Sequence, residues 1–224
     1  MRVAICGAGD DVVDGVEAVD CVDRSDAELL VTVGEDALAD CAARGESRPL
    51  LAVGIASPLS PSRKQLAELL DWLGAQPPTV EVRPLSVIAD GQTATAVFDI
   101  TLVTAEPARI SEYAVSVGDR THAEFRADGV VVATPLGSSG YGRAAGGPLL
   151  EPGVGVAVVP IAPFATHTDT WVVEPPLSVR VERDDTVTVF ADSSQLAVGE
   201  SSLTAEITGG EPLSVVDIRG LGLP

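Results

Sequence analysis

The residues best suited to chemistry fall in one run. Asp128-Gly129 leads an apolar strand, Val130–Ala133, that ends at Thr134-Pro135. Leu136-Gly137-Ser138-Ser139-Gly140-Tyr141-Gly142-Arg143 follows, and then Ala144-Ala145-Gly146-Gly147-Pro148. Glycine and alanine let a ligand or another stretch of backbone come close. Hydroxyls and free N–H groups supply hydrogen bonds, and the lone tyrosine offers a stacking face. This composition suits either a pocket for a flat polar ligand or a glycine-rich corner of a sheet. Other chemistries fit less well. Gly7-Ala8-Gly9 follows an apolar run, but Val12 stands where a dinucleotide fingerprint needs its third glycine, and Asp10 and Asp11 would repel a pyrophosphate. That segment reads as a strand-to-helix turn. Ser138, Ser139, His167 and Asp169 are triad residue types, yet no Gly-x-Ser-x-Gly elbow exists. Cys6, Cys21 and Cys41 are odd in number and form no C-x-x-C pair. Reduced thiols are therefore expected rather than a disulfide framework. A zinc site would need His122 or His167, both far away in sequence.

Charge narrows the partners. The 224 residues carry 33 acids against 14 bases, a formal net charge of -19, and Lys64 is the only lysine. Nucleic-acid affinity depends on cations meeting phosphate, so a nucleic-acid partner is excluded, and an anionic membrane surface repels the chain equally. The acids are scattered rather than gathered in a tail. That pattern points to a protein adapted to molar salt, where a Debye length of about 3 Å makes self-repulsion tolerable, rather than to a specifically acidic binding module. A hydrophobic fraction of 46% is too high for a disordered chain. No apolar run approaches the ~18 residues of a membrane span. Met1–Cys6 enters a strand-like run without a basic n-region, so no secretory signal is read and a cytoplasmic protein is expected.

These residues need elements to hold them. Residues 1–76 read as α/β. Met1–Cys6, Leu29–Val33 and Leu50–Ile55 are uninterrupted apolar runs of the kind that parallel strands bury on both faces. Asp36–Arg44 reads as a helix stopped by Gly45, and Ser60-Pro61 opens another that Gly74 closes. Pro77-Pro78 marks a change of character. Residues 77–210 are strand after strand, among them Val80–Val87, Thr93–Val103, Tyr113–Val117, Val154–Val159 and Val187–Ala191, separated by turn residues. This reads as an antiparallel sandwich. Residues 211–224 hold one more strand, Pro212–Ile218, placed to return to the first domain.

The run from Asp128 to Pro148 resembles the signature of NAD kinases: Asp-Gly, a strand, Thr-Pro-Thr-Gly-Ser-Thr-Ala-Tyr, and Ser-Ala-Gly-Gly-Pro. Val158-Val159-Pro160-Ile161-Ala162-Pro163 resembles the strand and Pro-x-x-Pro that follow in that family. The resemblance is specific over residues 125–164 and looser over 80–220. It implies a small Rossmann-like parallel α/β domain followed by an antiparallel β-sandwich. It also implies phosphorylation of the 2'-hydroxyl of the NAD adenosine ribose, with ATP or polyphosphate as donor and Mg²⁺ carried on the phosphates.

Site residues follow from the same resemblance. The family's Gly-Gly-Asp-Gly-Thr loop falls on Gly34-Glu35-Asp36-Ala37-Leu38. There Asp36 matches the acid that activates the ribose hydroxyl and Gly34 matches a glycine, while Glu35, Ala37 and Leu38 depart. The family's Asn-Glu pair, which reads adenine and ribose, falls on Phe98-Asp99, so the acid is kept and the amide lost. Arg126 and Asp128 match an Arg-x-Asp-Gly near the nicotinamide side. In the signature itself Ser138 and Tyr141 match, Ser139 replaces Thr, Gly140 replaces Ala and Leu136 replaces a hydroxyl residue. Asp192 matches the acid of a late Val-Asp-Gly turn. Glu35 would oppose the donor phosphates unless it helps to hold Mg²⁺. The departures therefore keep a second reading open, a catalytically inactive paralogue that binds NAD(P) or another nucleotide as a sensor or partner subunit. The family also implies a homo-oligomer whose sites are completed across subunits.

Overall fold

The computed structural model describes residues 1–7, 20–61, 65–66, 69–70, 77–106, 109–165, 168–183, 186–199 and 202–219. Residues 8–12 of the expected strand-to-helix turn and His167 lie outside them. The chain divides into two units, 1–82 with 211–224, and 83–210.

The first unit is built on a sheet of β1 (Arg2–Cys6), β2 (Asp20–Cys21), β3 (Leu29–Val33), β4 (Leu50–Val53), β5 (Thr79–Val82) and β18 (Leu213–Val216). Their order is β2-β1-β3-β4-β18-β5. All pairs are parallel except β18 with β5. The apolar runs form these strands because both faces are covered. Leu29, Val31, Leu51 and Val53 pack with Leu66, Leu69 and Leu70, of which 69–70 and 65–66 are helical. Helix α1 (Glu35–Ala43) buries Ala37, Leu38 and Cys41. Among the described residues no helix is long and apolar enough to cross a membrane.

The second unit is a sandwich of two antiparallel sheets. One contains β6 (Leu85–Ala89), β7 (Gln92–Ala96), β9 (Ser111–Val117), β10 (Arg120–Ala127), β14 (Leu177–Val181) and β17 (Thr204–Gly209). The other contains β8 (Asp99–Thr104), β11 (Gly129–Ala133), β12 (Val156–Ile161), β13 (Trp171–Val173), β15 (Val187–Ala191) and β16 (Ser194–Gly199). Their orders are β10-β9-β14-β17-β6-β7 and β13-β12-β11-β8-β15-β16. Alternation along each strand makes the core. Val130, Val132 and Val158 face inward onto Val87, Val115, Val179 and Ile207 of the other sheet. Val131, Ala133, Ala157 and Val159 face outward, and Ala145 and Leu150 cover them. The glycine-rich segment is therefore packed on the outer face of a sheet.

Two runs that the sequence reads as single strands are each divided. Val80–Val87 breaks at Arg83-Pro84, where β5 pairs with β18 of the first unit and β6 with β17 of the second. Thr93–Val103 breaks at Val97-Phe98, between β7 and β8. β10 and β16 are strands that the sequence reading passes over. Their exposed polar residues hide the alternation.

Candidate functional site

In the first unit the chain leaves β3 through Gly34 and enters α1 at Glu35. Gly34 has φ +86° and its N–H donates to Val53 O at 2.8 Å. A side chain is strained in that backbone conformation, so glycine is required. Gly7, at the end of β1, packs against the same corner. A Cβ there would lie 2.6 Å from Val33 O and 2.9 Å from Ala37 Cβ. Glu35 and Asp36 occupy the first turn of α1 and are both exposed. Ala37 and Leu38, the family departures, are buried beneath them.

The other end of α1 is tied by charge. Glu46 accepts from Arg48 Nη2 at 2.7 Å and Nε at 2.8 Å, from the Ser47 and Arg48 N–H groups at 3.1 Å, and from Arg24 Nη2 at 3.3 Å. Hydrogen bonds from the Arg48 side chain, more than any other cause, pull its pKa down from an ordinary 4.5 to about 2. Arg24 also reaches Cys41 Sγ at 3.4 Å. Burial pushes the Cys41 thiol up to about 11. Among the described residues no three His, Cys, Asp or Glu side chains come together as a metal-holding group.

In the second unit the candidate residues fall into two groups at opposite ends of β11. At its C-terminal end Thr134 is fully buried. Its N–H donates to Phe98 O at 2.9 Å and its Oγ1 to Val97 O at 2.6 Å, while Gly137 N–H donates back to Thr134 Oγ1 at 3.2 Å. Gly137 lies on the Phe98 carbonyl so closely that a Cβ would sit 1.9 Å from the oxygen. Ser138 Oγ donates to Pro135 O at 2.7 Å and accepts the Leu150 N–H at 3.0 Å, which commits this hydroxyl to the fold. Gly142 and Gly147 sit against Ala133 and Val159 with room for no methyl group. Those glycines serve the packing, which is the sheet-corner alternative. On its surface the segment presents half-buried Ser139 and Gly140 and exposed Arg143 and Ala144, with Tyr141 47% exposed at the start of the short helix α2 (Tyr141–Ala144).

Asp99 begins β8 beside this loop, paired with Ala133, and accepts Thr101 Oγ1 at 2.8 Å. The apolar replacements do not line an open surface. Phe98 is 6% exposed and Leu136 1%. Asp192, which the resemblance matches to the acid of a late turn, joins the group through the backbone at 97–99, and Thr134 is a residue whose part the sequence reading did not assign. The Thr-Pro at the strand end was the available signal for Thr134. No local signal ties Asp192 to a turn more than ninety residues earlier.

At the N-terminal end of β11 stand Asp128 and Arg126. Asp128 N–H donates to Ile161 O at 3.0 Å, and its O accepts Thr104 N–H at 2.9 Å. The Arg126 guanidinium lies over the Phe164 ring at 5.2 Å, and Phe164 N–H donates to Arg126 O at 2.8 Å. Asp128 and Thr134 stand six positions apart along an extended chain, roughly 20 Å. Within one copy Arg126 and Asp128 therefore do not join Ser138–Tyr141.

Comparison with known proteins bears on both units. Residues 99–216, just over half of the chain, match the family model described as the ATP-NAD kinase C-terminal domain. The chain is similar to the NAD kinase of Methanosarcina barkeri, 46% identical over 80 residues, covering 35% of this chain and 29% of that one. It is also similar to the NAD kinase of Methanosphaera stadtmanae, 33% identical over 157 residues, 66% of this chain and 56% of that one. These matches thus span between about a third and just over half of each relative's length. The fold is that of an NAD kinase from Archaeoglobus fulgidus solved in complex with ATP, with TM-score 0.70, 21% identity, and coverage of 97% and 94% of the two chains. The family-model match extends over the strands and loops that carry Asp99, Asp128, Ser138–Tyr141 and Asp192, and the chain belongs to the NAD kinase family.

Proposed function

We propose that the chain transfers a phosphoryl group from ATP or polyphosphate to the 2'-hydroxyl of the NAD adenosine ribose, giving NADP. The observation that carries this reading is Asp36, an exposed carboxylate on the first turn of α1 behind a glycine of positive φ, at the position that the sequence resemblance gives to the family's activating acid. Asp36 accepts the hydroxyl proton as the oxygen attacks the terminal phosphoryl group, whose bond to the bridging oxygen breaks to release ADP or the shortened polyphosphate. Its placement matters more than its basicity, because phosphoryl transfer depends chiefly on positioning and charge neutralisation. Asp99, Ser139, Gly140 and Tyr141 hold the dinucleotide, with Ser138 and Gly34 shaping the two loops. Mg²⁺ needs only one or two protein carboxylates when it arrives on phosphates, and Glu35 would suit that role, leaving Asp36 for the proton. When bound, it neutralises the phosphate charge. Arg126 and Asp128 complete the site of a second copy in a homo-oligomer, a reading that the family resemblance implies and that the length of β11 between them and Tyr141 supports.

The test is NADP formation from NAD with ATP or polyphosphate in multimolar KCl with Mg²⁺. Asp36→Asn should lower turnover by about 100-fold or more, the scale of a lost general base. NAD affinity should stay within about twofold. Turnover that survives the change removes Asp36 from the mechanism. Glu35 favours the second reading, an inactive paralogue. Its carboxylate is exposed on the same helical turn, and a like charge at 4 Å costs about 4 kcal/mol at an effective dielectric near 20. NAD or NADP binding without turnover under either donor is the result that reading expects.

A further inference from the structure

Asp192 stands in the turn between β15 and β16 with φ +51°, a conformation that aspartate tolerates better than most side chains. Its carboxylate reaches the junction of β7 and β8. Oδ2 accepts the Val97 N–H at 2.9 Å, and Oδ1 accepts the Phe98 N–H at 2.7 Å and the Asp99 N–H at 3.1 Å. Its own N–H donates to Asp99 O at 2.8 Å. Three consecutive amides thus converge on one carboxylate, and charge-assisted bonds of this kind are the stronger ones.

The same junction turns its carbonyls toward the next loop. Val97 O and Phe98 O both accept from Thr134, and Gly137 is seated against the Phe98 carbonyl. One side chain therefore sets the backbone at 97–99, and that backbone sets the loop 134–141. The divided run Thr93–Val103 is a consequence: at Val97-Phe98 the amides turn to Asp192 instead of to a neighbouring strand.

We propose that Asp192 is a positioning residue for the dinucleotide, acting through the backbone at 97–99 to hold Asp99 and the Ser139–Tyr141 face in binding geometry before the ligand arrives. The proposal rests on the reading that these residues hold NAD.

Hydrogen exchange on the wild-type protein tests it first, and needs no variant. The Val97, Phe98 and Asp99 amides should be protected without NAD and change little when NAD is added. Amides that exchange freely until NAD binds would overturn it. Asp192→Asn keeps one acceptor but aims an NH₂ group at the other amides. It should raise the Kd and KM for NAD tenfold or more, change kcat by less than about threefold, and free the 97–99 amides while the rest of the sandwich stays protected. Asp90→Asn, at the positive-φ turn between β6 and β7, is the control and should leave the Kd as it is. If Asp192→Asn binds NAD within twofold of wild type with its amides protected, the proposal fails and the functional reading stands. If the wild type binds neither NAD nor NADP, the functional reading itself fails and this inference goes with it.

Discussion

A single methyl group decides much at position 137. A Cβ there meets Phe98 O at 1.9 Å, and the obstacle is backbone, which cannot swing away. Overpacking a core typically costs 1–3 kcal/mol, and this contact belongs at or above the upper end. Gly137→Ala should lower the melting temperature of the 83–210 unit by about 5 °C or more, from the usual conversion of 2–4 °C per kcal/mol. Ser139→Ala, on the half-buried surface of the same turn, should leave that temperature within about 2 °C. Calorimetry of the two variants side by side checks the distinction. Equal losses would mean that the loop tolerates no change at all and that Gly137 has no special seat. At this scale the signature's residues separate into those that build the loop and those that it presents. Gly137, Ser138, Gly142 and Gly147 are spent on packing and internal hydrogen bonds, while Ser139 and Tyr141 face outward.

Helix α1 shows how an element is aimed. Gly34 and Gly7 set its start close against β3, and Glu46 ties the segment just beyond its end. The Glu46 carboxyl is held at about 2 in the folded chain, against an ordinary 4.5. A depressed carboxyl contributes stability that is complete above the unfolded value and is lost as pH falls through the folded one. The first unit should therefore weaken progressively from about pH 4.5 to pH 2. Glu46→Gln should be less stable at neutral pH by about 1–3 kcal/mol, the scale of hydrogen bonds lost between a charged acceptor and half-buried donors. It should also lose part of that acid dependence. Denaturant titrations at pH 7, 4 and 3 read both effects, and an unchanged acid slope in the variant would assign the dependence to other carboxylates. β11 makes the corresponding point in the second unit. Its five residues are buried on both faces, which makes it a rigid spacer between Asp128 and Thr134.

At the scale of the whole molecule two features carry predictions. The formal charge of -19 is spread along the chain, so self-repulsion opposes folding until salt screens it. The melting temperature should rise steeply between 0.1 M and 2 M KCl, and a flat response would remove the high-salt reading. The separation along β11 predicts complementation. Arg126→Ala and Tyr141→Ala should each bind NAD poorly, and a mixture of the two should recover part of the wild-type binding by assembling intact sites from two damaged copies. Analytical ultracentrifugation should show a dimer or larger. A monomer, or a mixture no better than its components, would place the dinucleotide within one copy.

The sequence alone determined the classes of element. Uninterrupted apolar runs such as Leu29–Val33 read as strands covered on both faces, and the alternation in Leu177–Glu182 reads as a sandwich strand. The order of residues in the 128–148 run was enough to recognise the family, because backbone close approach and hydroxyl spacing are local and survive as residue types. The resemblance also pointed to Asp36, which the structure sets exposed on the first turn of α1. What the sequence did not determine was which glycines serve packing and which face a ligand, since that depends on the carbonyl or methyl group lying opposite. It did not separate Arg126 and Asp128 from Tyr141, because nearness in sequence says nothing about the two ends of a strand. Nor did it tie Asp192 to Val97–Asp99, more than ninety residues earlier. Hydrogen bonds between distant turns are fixed only when the sheets close, so the tertiary structure alone assigned that carboxylate its partners.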